Sequence, residues 1–165
     1  AGGAGGRVIG VDPSVGMLQQ ARASLGLPAV LGVGEALPLA SATFDFLSMG
    51  YALRHLPDLR IAFAEFHRVL RPGGRLCILE ISRPAGRLRR QLMGVYFRLL
   101  LPMLARTTTS SPQTHKLWGY YWETIDQCVP PDVVMQVLRD VGFDHVGRNV
   151  SLGMFSEFVA TKRAG

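Results

Sequence analysis

The stretch "LRIAFAEFHRVLRPGGRLCILEIS", Leu59 to Ser82, narrows the fold more than any other part of the chain. Its first half places Leu59, Ala62, Phe63, Phe66, Val69 and Leu70 on one helical stripe, with Arg60, Glu65, Arg68 and Arg71 facing out. A helix beginning from Asp58 is predicted, and Pro72 stops it. "PGG" is then a turn, because proline presets its own φ and glycine tolerates positive φ. "RLCILEIS" follows as a nearly continuous apolar strand, the pattern of a parallel strand covered on both faces.

The rest of the chain keeps this alternation, which implies an α/β fold. Arg7 to Val11 reads as a short buried strand closed by Asp12. "PSVGMLQQARASL" carries Met17, Leu18, Ala21 and Leu25 at helical spacing, with Ser14 as a cap. Ala29 to Val33 is a second strand, running into a loop that holds Glu35, and Phe44 to Met49 is a third, with Ser48 and Gly50 at its far end. A helix over Pro131 to Val141 ends at Gly142, and "FDHVGRNV" and "MFSEFVATK" form an antiparallel hairpin around Gly153. Between Ser82 and these elements lie an arginine-edged apolar helix, "GRLRRQLMGVYFRLLLPMLAR", the polar loop "TTTSSP" and the aromatics Trp118, Tyr120, Tyr121 and Trp122. The chain reads as one domain over 1–165, with 84–128 as an insertion.

The net charge of +6 comes almost entirely from arginine. Such a balance suits nucleic acid, an anionic membrane surface or an anionic substrate, and equally a solvated arginine surface. No window approaches the ~18 apolar residues of a membrane span, and no charged-then-apolar leader is present, so a cytoplasmic protein is expected. Cys77 and Cys128 lack the spacing of a zinc or redox site, and His67, His115 and His145 lack ligand spacing, so no metal is expected. The opening "AGGAGG" precedes its strand, whereas a dinucleotide-binding loop follows one.

"RVLRPGGRLCILEIS" resembles the signature of the ubiquinone and menaquinone biosynthesis C-methyltransferases, within the class I methyltransferases. The similarity extends in order through "GVDPSVGML", "GEALPL", "FDFLSMGYALRH" and "VGFDHVGRNVSLGMFSEF". It implies a Rossmann-like three-layer sandwich, mostly parallel, with a C-terminal antiparallel hairpin. In that family a first strand and its glycine loop precede the strand ending in the acidic residue, so Arg7 to Val11 corresponds to the second strand and the first is missing here. "AGGAGG" is then the end of the preceding helix and loop, or a cloning remnant.

The implied cofactor is S-adenosylmethionine, with Asp12 accepting from the ribose hydroxyls, Pro13 and Met17 near the adenine, and Gly34, Glu35 and Ala36 offering backbone groups to the ring edge. Met49 and Gly50 complete the cofactor side. Val33 stands where the family carries Asp or Asn. Arg54 matches an arginine beside the acceptor, where a guanidinium stabilises a developing phenolate. His55 replaces an asparagine; an imidazole of ordinary pKa ~6.5 suits proton acceptance, while hydrogen bonding to the helix start at Asp58 is the structural alternative. The insertion, with Tyr96, Trp118, Tyr121 and Trp122, is expected to build a pocket for a small phenolic or quinol acceptor.

The expected reaction is methyl transfer to carbon or oxygen of that acceptor. Its arginine-edged helix also suits peripheral contact with an anionic membrane. Three readings stand beside it. A truncated, non-catalytic pseudo-enzyme or pairing subunit follows if the missing strand leaves the pocket half built. A nicotinamide-dependent oxidoreductase shares the strand-end carboxylate. Nucleic-acid methylation lacks a "DPPY" or "NPPY" type loop after "FDFLSMG", so no nucleic-acid partner is expected. Oligomeric state is left open.

Overall fold

Local signals account for most element boundaries in the computed structural model, which describes residues 7–82 and 128–164 together with Gly86, Gln91, Leu92, Gly94 and Val95. Strand β1 (Gly10–Asp12) leads into helix α1 (Val15–Leu25), where the Ser14 hydroxyl accepts from the Met17 amide as the predicted cap. β2 (Ala29–Leu31) and β3 (Phe44–Gly50) follow, then a 3₁₀ turn at Leu53–His55. Helix α2 (Leu59–Val69) starts at Asp58, whose carboxylate accepts from the amides of Arg60 and Ile61. β4 (Leu70–Ile81), α3 (Pro131–Asp140), β5 (Phe143–Ser151) and β6 (Phe155–Lys162) complete the described chain.

Two sheets result. β1 and β2 pair in parallel, and a four-stranded sheet runs β3-β4-β6-β5 with β3 and β4 parallel and the closing hairpin antiparallel. Among the described residues β1, β2, β3 and β5 each leave one edge without a strand partner. The core lies on one face of the larger sheet: Leu76 and Ile78 of β4 and Phe158 and Ala160 of β6 meet Ala62, Phe63 and Phe66 of α2 and Val134 and Leu138 of α3. Period-two alternation sends Phe46 and Leu79 to the opposite, exposed face.

Four expectations need correction. The first strand occupies Gly10–Asp12 instead of Arg7–Val11, and the second Ala29–Leu31 instead of Ala29–Val33. The ladder between them is three residues long, flanked by single bonds from the Gly10 amide to the Pro28 carbonyl and from the Gly32 amide to the Asp12 carbonyl. Gly32 leaves the strand because it lies close against Pro38: a Cβ there would stand 2.6 Å from Pro38 Cδ. Third, the strand after α2 begins at Leu70, not after the "PGG" turn. Phe44 pairs with Leu70 and Phe46 with Arg75, so the Pro72-Gly73-Gly74 segment is an irregularity inside β4, with Gly73 at φ +79°.

Fourth, Glu65 and Arg68 are not simply solvated. Arg68 donates to both oxygens of Glu65, to the carbonyls of Leu37 and Leu39 and to the Ser41 hydroxyl. Glu65 accepts in turn from the Leu37 amide, and the Arg68 hydrogen bond is the main reason its carboxyl is held below the ordinary range. This cluster fastens the segment after β2 onto α2.

Candidate active site

Parallel strands deliver their carboxyl ends, and the loops leaving them, to one side of a sheet. Asp12 closes β1. Its Oδ1 accepts from the Ser14 amide at 2.7 Å, an Asx turn that orients the carboxylate, while Oδ2 has no partner among the described residues. Beside it, the Gly32 amide donates to the Asp12 carbonyl at 3.3 Å.

The chain then turns tightly over Val33-Gly34-Glu35-Ala36. The Ala36 N–H donates to the Val33 carbonyl at 3.2 Å, so Ala36 has no free amide to offer a ligand, a correction to the expectation for that residue. The amides of Gly34 and Glu35 carry no bond among the described residues. Glu35 holds Oε1 buried with no hydrogen-bond partner among the described residues. Such an orphaned acceptor is costly. A Cβ on Gly34 would lie 2.6 Å from Leu56 Cδ2, so this loop packs directly on the segment leaving β3.

That segment is bent by Tyr51, a non-glycine residue at φ +56°, whose amide donates to the Leu79 carbonyl at 2.7 Å. Backbone strain of this kind persists where surrounding structure enforces it, often at functional sites. Past the bend, the 3₁₀ turn presents Arg54 and His55. Arg54 Nη1 donates to Glu80 Oε1 at 3.1 Å, and its Nε and Nη2 have no partner among the described residues. His55 is exposed, and its ring makes no hydrogen bond among the described residues; Asp58 is engaged by its own helix, so the alternative of an Asp58-bound histidine does not hold.

The remaining expected residues divide. Pro13 and Met17 are exposed, Met17 at 56 %, so neither is core. Gly50 has open space where a Cβ would point. Met49 packs instead against the core, on the same sheet face as Ile78, because alternation along β3 sends its side chain away from Ser48 and Gly50. The insertion 84–128 with Tyr96, Trp118, Tyr121 and Trp122, and the arginine-edged helix, lie almost entirely outside the described residues.

A cavity of about 340 Å³ lined by His67, Arg139, Asp144, Lys162 and neighbours opens at the other end of the sheet, where Lys162 Nζ donates to the carbonyls of His67 and Leu70. None of the expected site residues lines it.

A sequence model of the ubiE/COQ5 methyltransferase family matches residues 1–162. The chain belongs to that family. A demethylmenaquinone methyltransferase of Roseiflexus castenholzii is 33% identical over 162 residues, covering 96% of this chain and 67% of the relative. One from Corynebacterium kroppenstedtii is 32% identical over 159 residues, covering 96% and 68%. The fold matches a solved SAM-dependent methyltransferase of Thermotoga maritima with a TM-score of 0.66 at 22% identity, over 94% of this chain and 72% of that one. A second, from Aquifex aeolicus, gives 0.63 at 19% identity over 96% and 70%.

The ubiE/COQ5 chain is thus an S-adenosylmethionine-dependent methyltransferase of Rossmann-like class I fold, which decides against the nicotinamide reading. The residues present fit that cofactor: a strand-end carboxylate with a free oxygen, two unengaged loop amides and an orphaned carboxylate oxygen lie at the strand exits. Among the described residues no helix is long and apolar enough to cross a membrane.

Glu80 and Tyr51 were missed in the sequence. Glu80 carried a legible signal, since strand parity puts it on the same face as Leu76 and Ile78, where a lone carboxylate requires a partner.

Proposed function

We propose that the chain methylates a carbon of a small quinol or related phenol, with Asp12, Gly34 and Glu35 holding the cofactor and Arg54 and His55 serving the acceptor. The curated relatives are named demethylmenaquinone methyltransferases, and that chemistry suits the residues here. The observation that carries the reading is Arg54, tethered by one nitrogen at the strand exits with its other nitrogens free.

When bound, S-adenosylmethionine supplies a methyl group on a positively charged sulfur, open to attack by an electron-rich carbon. Asp12 would hold the ribose hydroxyls through its free carboxylate oxygen, and the turn carrying Gly34 and Glu35 would hold the adenine edge. Pro13 and Met17 offer apolar surface to the ring. A phenol becomes a strong carbon nucleophile as its hydroxyl proton departs. Arg54 then stabilises the charge developing on oxygen, while the His55 imidazole takes the hydroxyl proton; the hydrogen on the methylated ring carbon is afterwards lost as a proton to water, which restores the aromatic ring.

The test supplies a reduced demethylnaphthoquinol and S-adenosylmethionine and follows adenosylhomocysteine with the methylated product. Arg54→Ala is expected to lower kcat about 100-fold or more, the scale for removing one preorganised donor to a developing oxyanion. Its affinity for adenosylhomocysteine, measured by calorimetry, should stay near wild type. Wild-type turnover in the variant would overturn the assignment.

A further inference from the structure

Glu80 is the one charged residue among the buried polar residues described, the others being Ser82 and Ser156. Its carboxylate receives three donors. Oε2 accepts from the Leu53 amide at 3.1 Å, and Oε1 accepts from Arg54 Nη1 at 3.1 Å and from its own neighbour, the Ile81 amide, at 2.9 Å. The side chain of Glu80 is 1% exposed and that of Arg54 19%. One acid on β4 thus binds both the backbone and the guanidinium of the turn that leaves β3.

We infer that Glu80 is the positioning residue for the acceptor site, setting the direction in which Arg54 presents its free nitrogens. The inference rests on the acceptor role proposed for Arg54 and goes beyond it by naming what holds that side chain. Arginine has several rotatable bonds, and an untethered one spends little time in any one pose. Fixing Nη1 to a buried acceptor restricts the guanidinium and leaves Nε and Nη2 without a partner among the described residues. Because the same carboxylate also fixes the Leu53 amide, the backbone carrying Arg54 and the group at its tip share one reference point on the rigid sheet. Asparagine-like or glutamine-like side chains do not substitute: with donors arriving at both oxygens, an amide would turn its NH₂ toward at least one of them.

A double-substitution cycle tests this in the full chain, using Glu80→Gln, Arg54→Ala and the pair. For each, kcat and the acceptor KM are measured with the demethylnaphthoquinol, and adenosylhomocysteine affinity is measured by calorimetry. Glu80→Gln alone is expected to lower kcat about 100-fold, the scale of a misplaced reacting group, with KM changed less than threefold and adenosylhomocysteine affinity within twofold. In the Arg54→Ala background the same change should lower kcat less than threefold, because the group it positions is gone. An equal loss in both backgrounds would show Glu80 acting as a support for the Leu53 amide alone and would overturn the inference, as would full kcat in Glu80→Gln. If Glu80→Gln does not fold, Glu80→Asp replaces it in the cycle, keeping the charge but withdrawing the carboxylate by one methylene, with about a tenfold loss expected and the same dependence on Arg54. Wild-type kcat in Arg54→Ala, with Glu80→Gln impaired, marks failure of the acceptor reading itself.

Discussion

Gly73 and Gly74 sit side by side in the irregular stretch of β4 and should respond very differently to alanine. Gly73 has φ +79° and no atom within 4 Å of where its Cβ would be. Alanine there meets only the local penalty of the left-handed region, roughly 1–2 kcal/mol. Gly74 has no such φ, yet its Cβ would lie 2.8 Å from the Arg71 carbonyl oxygen, 3.2 Å from the Phe44 carbonyl oxygen and 3.3 Å from the Arg71 amide nitrogen. All three are backbone atoms, and the Phe44 one belongs to the neighbouring strand. Relief therefore requires the irregular turn of β4 between Arg71 and Gly74 to open and β3 to give way at Phe44.

Overpacking of this kind costs about 1–3 kcal/mol where neighbours can shift, and rigid backbone neighbours put Gly74→Ala at the upper end. Both substitutions also stiffen the unfolded chain, a gain of about 0.4–1 kcal/mol that largely cancels between the two. The expected result is a Gly74→Ala variant about 1 kcal/mol less stable than Gly73→Ala. Urea denaturation followed by circular dichroism measures it, with slopes compared so that the free energies are commensurable. A Gly73→Ala variant as unstable as Gly74→Ala would refute the argument that close backbone approach, not φ, is what demands the second glycine.

Asp12→Ala should weaken adenosylhomocysteine binding about 10-fold or more in calorimetry, the scale of one lost hydrogen bond to a charged group, with unchanged binding counting against the ribose role. Glu35→Ala should also weaken it while leaving urea stability equal or higher, since the substitution removes a buried oxygen that has no partner among the described residues. His67 lies edge-on to Phe143 at 5.1 Å, and burial, followed by the charge of Lys162, lowers its pKa from the ordinary 6.5. The folded protein therefore binds fewer protons here than the unfolded chain between the lowered value and 6.5. The histidine's contribution is present above 6.5 and is lost as pH falls through the lowered value. His67→Asn should flatten that part of the stability profile, and an unaltered slope between pH 7.5 and 5.5 would contradict this.

The elements were legible where a local rule decides them. Ser14 and Asp58 cap their helices, the α2 stripe faces the core, and the closing hairpin turns at Gly153, all from patterns within a few residues of each other. What sequence could not supply were the pairings across distance. Arg68 reads as an outward residue of an amphipathic helix, and its i, i+3 relation to Glu65 is visible, yet three of its bonds reach Leu37, Leu39 and Ser41, fixed only by tertiary approach. Met49 adjoined the expected cofactor side in sequence, but period-two alternation assigns its side chain to the core.

Glu80 shows how the two kinds of information join. Parity along "LCILEIS" predicts that its side chain enters the core, and the cost of an unpaired buried charge predicts that a cation or several amides await it. Which cation depends on the parallel pairing of Gly50 with Leu79, which brings the turn after β3 across the end of β4. A family motif and a neighbouring arginine, separated by 26 residues, thus become one device through strand order. The same logic bears on Val33, which stands where the resemblance implies a polar side chain. Glu35, two positions on, offers a buried carboxylate oxygen beside the tight turn, so loss of the polar side chain at Val33 does not leave the loop without an acceptor. Glu35→Ala combined with Val33→Asp should then recover adenosylhomocysteine affinity lost in Glu35→Ala alone. Failure to recover would mean that the two positions reach different parts of the ligand.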